Sequence, residues 1–275
     1  MSAEPLGLHI TRRAAVLGRP ISHSLSPVLH GSAYRALGLG WRFTAIDLGA
    51  DELASFLRSR GPEWVGFAAT MPLKRAVLER ADTASARAIA VGAGNTLLRR
   101  PDGGWTADNT DVAGIVTALT EAGVRPRTAT VLGAGGTAQA AVVALAELGL
   151  SRCIVLVRDV ARTADVVQTG RRAGIEVQVG SLDDATGDLV VSTLPPGAAD
   201  PLAARPWGAG QALLDVVYAP WPTPLAAAIG SAGGVVVSGA LMLLHQAAVQ
   251  VELMTGRPAP VEAMRAALRE HTPAL

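Results

Sequence analysis

The sequence predicts an α/β protein with two domains. Short runs rich in β-branched residues alternate with helical patterns along most of the chain, and a glycine-rich turn follows one of these runs in mid-chain. A chain of 275 residues is long enough for two modest domains at the usual ~100–200 residues per domain. The predicted strands are residues 14–17, 42–46, 65–69, 128–132, 153–157, 189–192, 213–217 and 235–237.

The domain boundary is predicted where a helical stretch, residues 112–122, leads through a glycine and a proline into a fresh strand. Two further helices are predicted over residues 28–37 and 139–148. Because the glycine turn lies so far along the chain, the first ~110 residues must form a different unit. We therefore predict one domain from residues 1–111 plus 239–275 and a second domain from residues 112–238. The C-terminal helical residues are expected to pack back on the first domain.

The composition excludes several classes of protein. Apolar residues make up 49% of the chain, charged residues make up 17%, and the net charge is +1, which excludes a disordered tail and a surface that coats nucleic acid. A small molecule is therefore the expected partner. Cys153 is the only cysteine, so an internal disulfide framework is impossible and a reducing, cytoplasmic location is expected.

No segment predicts export, membrane insertion or a metal centre. Residues 1–18 lack the basic start and apolar stretch of a secretory signal. Residues 235–254 are apolar but are interrupted by polar side chains, which favours a buried amphipathic helix over a membrane span. The histidines form no close helical pair with one another or with a cysteine, so no metal site is predicted; they are His9, His23, His30, His245 and His271.

The mid-chain glycine turn predicts a dinucleotide site. The strand at 128–132 is followed by Gly133, Ala134, Gly135, Gly136, Thr137 and Ala138, and then by a helical pattern. Gly133 permits the tight turn, Gly135 lets the backbone approach a pyrophosphate, and Ala138 allows the helix to pack closely on the strand. The anion would then lie at a helix N-terminus. This order of elements predicts a Rossmann-like domain.

Residues after the next strand bear on the choice of cofactor. Arg158 directly follows that strand, and Arg162 is expected four residues later on the same helical face. Arginine at this place suits the 2′-phosphate of NADP. Asp159 keeps NAD open as an alternative, because a carboxylate there accepts a hydrogen bond from a ribose hydroxyl or repels the phosphate.

Four segments outside the dinucleotide unit carry polar residues that fold-building alone does not explain; they are residues 18–27, 66–74, 92–96 and 107–111. Ser26 before Pro27 is typical of a helix start, where capping is one interpretation and binding of a carboxylate is another. Asp111 has the same capping alternative. Lys74 follows a strand, where a lysine is ordinarily a surface charge.

Taken together, these motifs resemble the shikimate dehydrogenase family over nearly the whole chain. The matching segments, in the order the family has them, are the serine turn at 22–26, T-M-P-L-K at 70–74, G-N-T at 94–96, D-N-T-D at 108–111, G-A-G-G-T-A at 133–138, D-V-V-Y-A-P-W-P-T-P-L at 215–225 and H-Q-A-A at 245–248. The resemblance implies reversible, NADPH-dependent reduction of 3-dehydroshikimate to shikimate, a step of aromatic amino acid biosynthesis.

The resemblance also implies a role for individual residues. Lys74 and Asp111 would be the catalytic pair, and Ser24 and Ser26 would hold the substrate carboxylate. Ring hydroxyls would contact Asp111 and also Thr70, Asn95 and Gln246, with Tyr218 near the substrate and the nicotinamide. The implied cofactor-binding residues are Gly133, Ala134, Gly135, Gly136, Thr137, Ala138, Arg158, Arg162, Thr193, Val216 and Gly239.

Three departures from the family pattern touch these roles. Ala68 and Ala69 weaken the pattern before Thr70. Residues 157–159 read V-R-D where the family has N-R-T, which puts strict preference for NADP in doubt. Residues 238–242 read S-G-A-L-M where the family often has D-G-L-G-M. This difference concerns the hinge or the wall beside the nicotinamide, and therefore the geometry of the bound cofactor.

Chemistry favours Lys74 as the proton donor, because hydride reduction of a ketone places negative charge on its oxygen. A neighbouring Asp111 would orient the amine or share the proton transfer. One alternative is a quinate/shikimate or aminoshikimate dehydrogenase using NAD, although Ser26 stands where a bulkier threonine would mark quinate use. Another is a catalytically silent nucleotide-binding regulator, which would have no need of a proton donor. The sequence leaves open whether the protein forms a homodimer.

Overall fold

The structure is a computed structural model that describes residues 10–275, except for the side chain of residue 183. It contains two six-stranded sheets. The first sheet has the strand order β2-β1-β3-β5-β6-β4. Its strands are β1 (Arg12–Gly18), β2 (Trp41–Asp47), β3 (Trp64–Ala69), β4 (Thr83–Ala84), β5 (Thr96–Arg99) and β6 (Trp105–Asp108). β5 runs antiparallel to both β3 and β6, so β3 and β6 point the same way.

The second sheet is parallel throughout, in the order β12-β11-β10-β7-β8-β9. Its strands are β7 (Ala129–Leu132), β8 (Arg152–Val157), β9 (Glu176–Ser181), β10 (Leu189–Ser192), β11 (Ala212–Asp215) and β12 (Val235–Ser238). All residues of β7 and β10 are buried, as expected for central parallel strands covered on both faces. This order is that of a Rossmann fold, with its switch point between β7 and β10.

Ten α-helices cover the two sheets in the described part of the chain. They are α1 (Ser26–Ala36), α2 (Leu53–Arg58), α3 (Lys74–Arg80), α4 (Ala86–Val91), α5 (Asp111–Glu121), α6 (Gly136–Glu147), α7 (Ala164–Ala173), α8 (Pro224–Ser231), α9 (Gly239–Thr255) and α10 (Val261–Arg269). Short 3₁₀ turns lie at Val160–Arg162, Leu182–Asp184 and Asp200–Ala204. No helix among residues 10–275 is both long and apolar enough to cross a membrane.

The C-terminal helices return to the first sheet, as predicted. Leu29 of α1 shares a buried cluster with Leu244 of α9 and Leu268 of α10. Helix α5 packs against α9 on one side, and its buried Ile115 belongs to the core that also contains α6. The two-domain α/β fold is therefore confirmed. The exact bounds at 111/112 and 238/239 stay a prediction, because α5 contributes to both halves.

The differences from the predicted elements have local causes. β4, β5, β6 and β9 were not predicted: β4 has two residues, β5 and β6 have four each, and β9 alternates polar with apolar residues at a sheet edge. The strand predicted over 213–217 ends at Asp215, whose carboxylate accepts a hydrogen bond from the Val217 N–H at 3.2 Å and so turns the chain. The apolar stretch 235–254, for which a buried amphipathic helix was favoured, is divided between strand β12 and helix α9.

Helix α1 buries one histidine completely. The ring of His30 stacks on that of Phe43 with centroids 3.8 Å apart, and its Nε2 lies 3.2 Å from the Gln250 Oε1. Burial lowers the pKa of His30 to about 3, since a charged imidazole would lose its hydration there. His30 is therefore neutral at physiological pH.

This histidine predicts a pH-dependent stability. Between about pH 7 and pH 5 we expect it to lower the free energy of unfolding by about 2 kcal/mol, because the unfolded chain takes up a proton near pH 6.5 that the folded state does not bind until about pH 3. Denaturant titrations of the protein and of His30→Gln across this range measure the effect. The variant should lose less stability on acidification, and parallel pH profiles would contradict the assignment.

Candidate active site

A cavity of about 320 Å³ lies where the carboxyl ends of β1 and β3 face the glycine turn after β7. Side chains reach it from both sheets and from α9. Because β6 runs in the same direction as β3, the residues that follow these two strands meet at one sheet edge. The predicted site residues that line the cavity are Ser24, Ser26, Thr70, Lys74, Asp111, Thr137, Val216, Tyr218, Gly239 and Gln246.

Lys74 and Asp111 form an ion pair in the wall of this cavity. Each is the first residue of its helix, α3 and α5 respectively, and the Lys74 Nζ donates to the Asp111 Oδ2 at 2.6 Å. The Lys74 side chain is 17% exposed and that of Asp111 is 2% exposed, so this pair is shielded from water. The interpretation of Lys74 as an ordinary surface charge is therefore wrong.

Lys74 also contacts the glycine turn. Its Nζ donates to the Thr137 Oγ1 at 3.0 Å, and a Cβ placed on Gly136 would lie 3.3 Å from the Lys74 Cδ. The amine thus connects a carboxylate beside the first sheet with the turn that follows β7. Lys74 is moreover the only lysine in the sequence, beside 23 arginines. At this position the chain carries a cation that can release a proton, which arginine in proteins does not.

The capping interpretations of Asp111 and Ser26 are not what the structure shows. Asp111 lies in the first turn of α5 after the cap residue Thr110, and its carboxylate bonds to Lys74 instead of the helix backbone. Ser26 likewise lies inside α1, after the cap residue Leu25, and makes no side-chain cap. Both polar groups are therefore left facing the cavity.

The polar residues around the pair differ in how they are placed. Asn95 is buried behind the cavity wall and does not line it; its Nδ2 donates to the Asp111 Oδ1 at 2.8 Å and to the Gln246 Oε1 at 2.9 Å. The Gln246 Oε1 is occupied by that bond, whereas the Gln246 Nε2 has no hydrogen-bond partner among residues 10–275. The Ser24 Oγ accepts from the Ser26 N–H at 3.3 Å.

Thr70 and Tyr218 complete the wall from opposite sides. Thr70 follows β3, whereas Tyr218 follows β11 of the second sheet, so the cavity is bounded by both sheets. Burial raises the pKa of the Tyr218 phenol, which keeps this group neutral and able to donate a hydrogen bond.

The glycine turn has the geometry that an anion-binding turn requires. Gly133 has φ +105°, a conformation that suits glycine, and a Cβ there would lie 2.7 Å from the Thr193 Oγ1. A Cβ placed on Gly135 would meet no atom of residues 10–275 within 4 Å, so these residues leave the backbone before α6 open to a ligand. Ala138, in the first turn of α6, is fully buried. The free N–H groups at the start of α6 therefore suit a pyrophosphate.

The residues after β8 are placed differently from the prediction. Arg158 and Arg162 do not share a helical face, because a 3₁₀ turn over Val160–Arg162 intervenes and α7 begins only at Ala164. The Asp159 Oδ1 accepts from the Ala161 N–H at 3.0 Å and caps that turn. Both arginines are exposed and make no ion pair with any residue in the described range.

A very close backbone approach lies at the junction of β12 and α9. A Cβ placed on Gly239 would lie 2.0 Å from the carbonyl oxygen of Val216. Only glycine fits there without movement of the backbone. Val216 and Gly239 thus hold the start of α9, the helix that carries Gln246, against the loop after β11.

Two polar residues that line the cavity, His23 and Gln250, were not predicted as site residues. Gln250 lies four residues after Gln246 on α9, and this helical spacing is the signal that could have identified it. No group of side chains within residues 10–275 has the arrangement of a metal site.

Known proteins share this architecture. Residues 16–97 match the family model for the shikimate dehydrogenase substrate binding domain, and residues 239–269 match that for the shikimate 5'-dehydrogenase C-terminal domain. A curated relative, the shikimate dehydrogenase (NADP(+)) of Synechococcus sp. strain JA-3-3Ab, is 34% identical over 280 residues, which covers 94% of each chain.

Solved structures agree with the sequence matches. The shikimate dehydrogenase of Mycobacterium tuberculosis superposes with a TM-score of 0.86 at 51% identity, covering 94% of this chain and 99% of that one. The shikimate 5-dehydrogenase of Thermus thermophilus in complex with NADP(H) and shikimate has a TM-score of 0.82 at 34% identity, with coverage of 94% and 99%. These matches confirm the resemblance inferred from the motifs: the chain belongs to the shikimate dehydrogenase family.

Proposed function

We propose that the protein interconverts 3-dehydroshikimate and shikimate with NADP(H) as the redox partner. The observation that carries this proposal is the placement of the Lys74 amine between the Asp111 carboxylate and the glycine turn, at 2.6 Å from Asp111 and 3.0 Å from Thr137. The family to which the chain belongs, and the NADP(+) in the name of its Synechococcus relative, support the same assignment.

The proposed chemistry assigns each proton and electron pair. NADPH, when bound, supplies a hydride to the ketone carbon of 3-dehydroshikimate. Negative charge then develops on the ketone oxygen, and the Lys74 ammonium donates a proton to it, which leaves a neutral amine. Asp111 orients the amine and stabilises its charge before that transfer. In the oxidative direction the amine or Asp111 accepts the hydroxyl proton of shikimate.

The remaining cavity residues would bind and orient the substrate. The hydroxyls of Ser24 and Ser26, near the start of α1, suit the substrate carboxylate, since donors at a helix N-terminus stabilise an anion. The Thr70 hydroxyl and the free Nε2 of Gln246 suit ring hydroxyls, with Tyr218 closing the wall. Asn95 acts from behind the wall, through the bonds it donates to Asp111 and Gln246.

The second sheet would hold the nucleotide. The open backbone from Gly133 to Ala138 suits the pyrophosphate, and Thr193 lies against this turn. Val216 and Gly239 line the cavity where the nicotinamide would enter. Because Asp159 is already used to cap a 3₁₀ turn, the unpaired Arg158 and Arg162 are the groups available beside the adenosine ribose. We therefore propose NADP as the preferred cofactor.

This cofactor choice makes a kinetic prediction. Replacing both Arg158 and Arg162 with alanine should raise the KM for NADP by about tenfold, because guanidinium groups form charge-assisted hydrogen bonds with a phosphate. The KM for NAD should change little. Arg171→Ala, at an exposed position in the last turn of α7, is the matched control. An equal change in both KM values would contradict the assignment.

The substrate itself is tested by comparing shikimate, quinate and aminoshikimate with NADP and with NAD. The proposal requires the highest kcat/KM for shikimate with NADP. A higher value for quinate or aminoshikimate, or for NAD, would favour the alternative enzyme. Cytoplasmic location and a homodimer remain predictions from the sequence, the second of which light scattering measures directly.

A further inference from the structure

A buried chain of hydrogen bonds runs from α1 to the catalytic pair. The His30 Nε2 lies 3.2 Å from the Gln250 Oε1, and the Gln250 Nε2 lies 3.0 Å from the Thr96 Oγ1. The Thr96 Oγ1 lies 2.8 Å from the Asn95 Oδ1, and the Asn95 Nδ2 lies 2.8 Å from the Asp111 Oδ1. All five residues are at most 3% exposed.

The donors along this chain all point towards Asp111. The backbone N–H of Thr110 donates to the Asn95 Oδ1 at 2.8 Å, which fixes that atom as the carbonyl oxygen and directs the Asn95 NH₂ group at Asp111. The Thr96 hydroxyl accepts from Gln250 and donates to the same carbonyl. The Gln250 carbonyl therefore faces His30, whose Nε2 must carry the hydrogen. The His30 Nδ1 is buried and has no hydrogen-bond partner among residues 10–275.

We propose that Gln250 is a positioning residue for catalysis. This proposal rests on the function proposed above. It touches neither reacting atom. Its donation to Thr96 makes the Thr96 hydroxyl an acceptor on that side, and the nearest acceptor for the hydroxyl's own hydrogen is the Asn95 carbonyl, at 2.8 Å against 3.5 Å for the Thr110 Oγ1. An amide whose carbonyl accepts more hydrogen bonds is a stronger N–H donor, because successive hydrogen bonds polarise one another. Gln250 thereby strengthens the bond that holds the Asp111 carboxylate towards Lys74.

The cavity lining alone would suggest a different role for Gln250. It lines the cavity as Gln246 does, yet its amide is fully used inside the protein: Oε1 bonds to His30, and Nε2 bonds to Thr96 and, at 3.4 Å, to the backbone oxygen of Asn95. Gln246, in contrast, keeps its NH₂ group free for a ligand. The two glutamines of α9 therefore have different roles. Gln246 faces the substrate, and Gln250 supports Asp111 through the buried hydrogen bonds.

Two substitutions test this role. Gln250→Met removes the donor, and Gln250→Glu keeps the shape but offers Thr96 only an acceptor when ionised. We expect kcat for shikimate oxidation to fall about fivefold in each, the effect of one ordinary buried hydrogen bond, with KM for shikimate nearly unchanged. Val251→Ala, which truncates a fully buried neighbour on the same helix outside this chain, should reduce stability but leave kcat within about twofold.

A spectroscopic measurement separates positioning from mere packing. Because Lys74 is the only lysine, protein labelled with [¹³Cε]lysine gives a single lysine signal from the intact enzyme. This signal should shift in both Gln250 variants and stay in place in Val251→Ala. An unshifted signal, or a kcat equal to that of the parent protein, would overturn the proposal. If the parent protein failed to oxidise shikimate, the proposed function would fall, whereas the signal would still decide the role of Gln250.

Discussion

Replacing Lys74 with alanine is expected to lower kcat by about 10²–10⁴-fold, the usual contribution of a positioned proton donor. The substitution removes the single lysine of the sequence and leaves the Asp111 carboxylate, 2% exposed, without its cation. Substrate affinity should change much less, because the serines, Thr70 and Gln246 remain. Steady-state kinetics in both directions, with binding of shikimate measured by calorimetry, separate the two effects.

Lys74→Arg is the sharper control for the same prediction. Arginine keeps the positive charge and can pair with Asp111, but it does not release a proton in proteins. The variant therefore separates the charge of Lys74 from its capacity for proton transfer. We expect kcat of this variant to stay within about tenfold of Lys74→Ala. Near-normal turnover of either variant would contradict the role of Lys74.

Gly239→Ala is expected to cause the second large loss. Its Cβ would lie 2.0 Å from the Val216 oxygen and 2.4 Å from the Val216 carbonyl carbon, and these backbone atoms cannot rotate away. Overpacking costs about 1–3 kcal/mol in general, and a contact with backbone atoms this close places Gly239→Ala at the upper end of that range. The start of α9 must then move, and with it Gln246 at the substrate. A displacement of about 1 Å in such a site costs about 10²-fold in rate.

Gly208→Ala is the matched control for that substitution. Within the described part of the chain, a Cβ on Gly208 would meet no atom within 4 Å, so both stability and kcat should stay near those of the parent protein. Chemical denaturation and steady-state assays on the two variants measure the difference. A Gly239→Ala protein as stable and active as Gly208→Ala would show that the close approach at Val216 matters for neither stability nor activity.

The parts of the site that depend on local order could be predicted from the sequence. The succession of strand, glycine turn and helix identifies the nucleotide turn because each step is set by neighbouring residues, as the φ of +105° at Gly133 shows. The T-M-P-L-K and D-N-T-D motifs identify Lys74 and Asp111, although β6, the strand before Asp111, was not predicted. The seven strand runs up to residue 217 are recognisable for the same local reason, although that at 213–217 ends two residues early.

The remainder depends on contacts between distant segments. The resemblance implies that Asn95 touches the substrate, but Asn95 is buried and donates to Asp111 at the start of α5 and to Gln246 of α9, contacts that no local pattern records. The bond from Lys74 to Thr137 spans 63 residues. The expected helical face of Arg158 and Arg162 is wrong because Asp159 caps a 3₁₀ turn instead of starting a helix.

Turnover at the Lys74–Asp111 pair is the central claim, and the most direct measurement is NADPH formation after shikimate is added to the purified protein with NADP. We predict sustained formation of NADPH by the parent protein and almost none by Lys74→Ala. If calorimetry showed that both ligands bind to the parent protein while no NADPH formed, the chain would be a nucleotide-binding regulator, and the catalytic role of this pair would be contradicted.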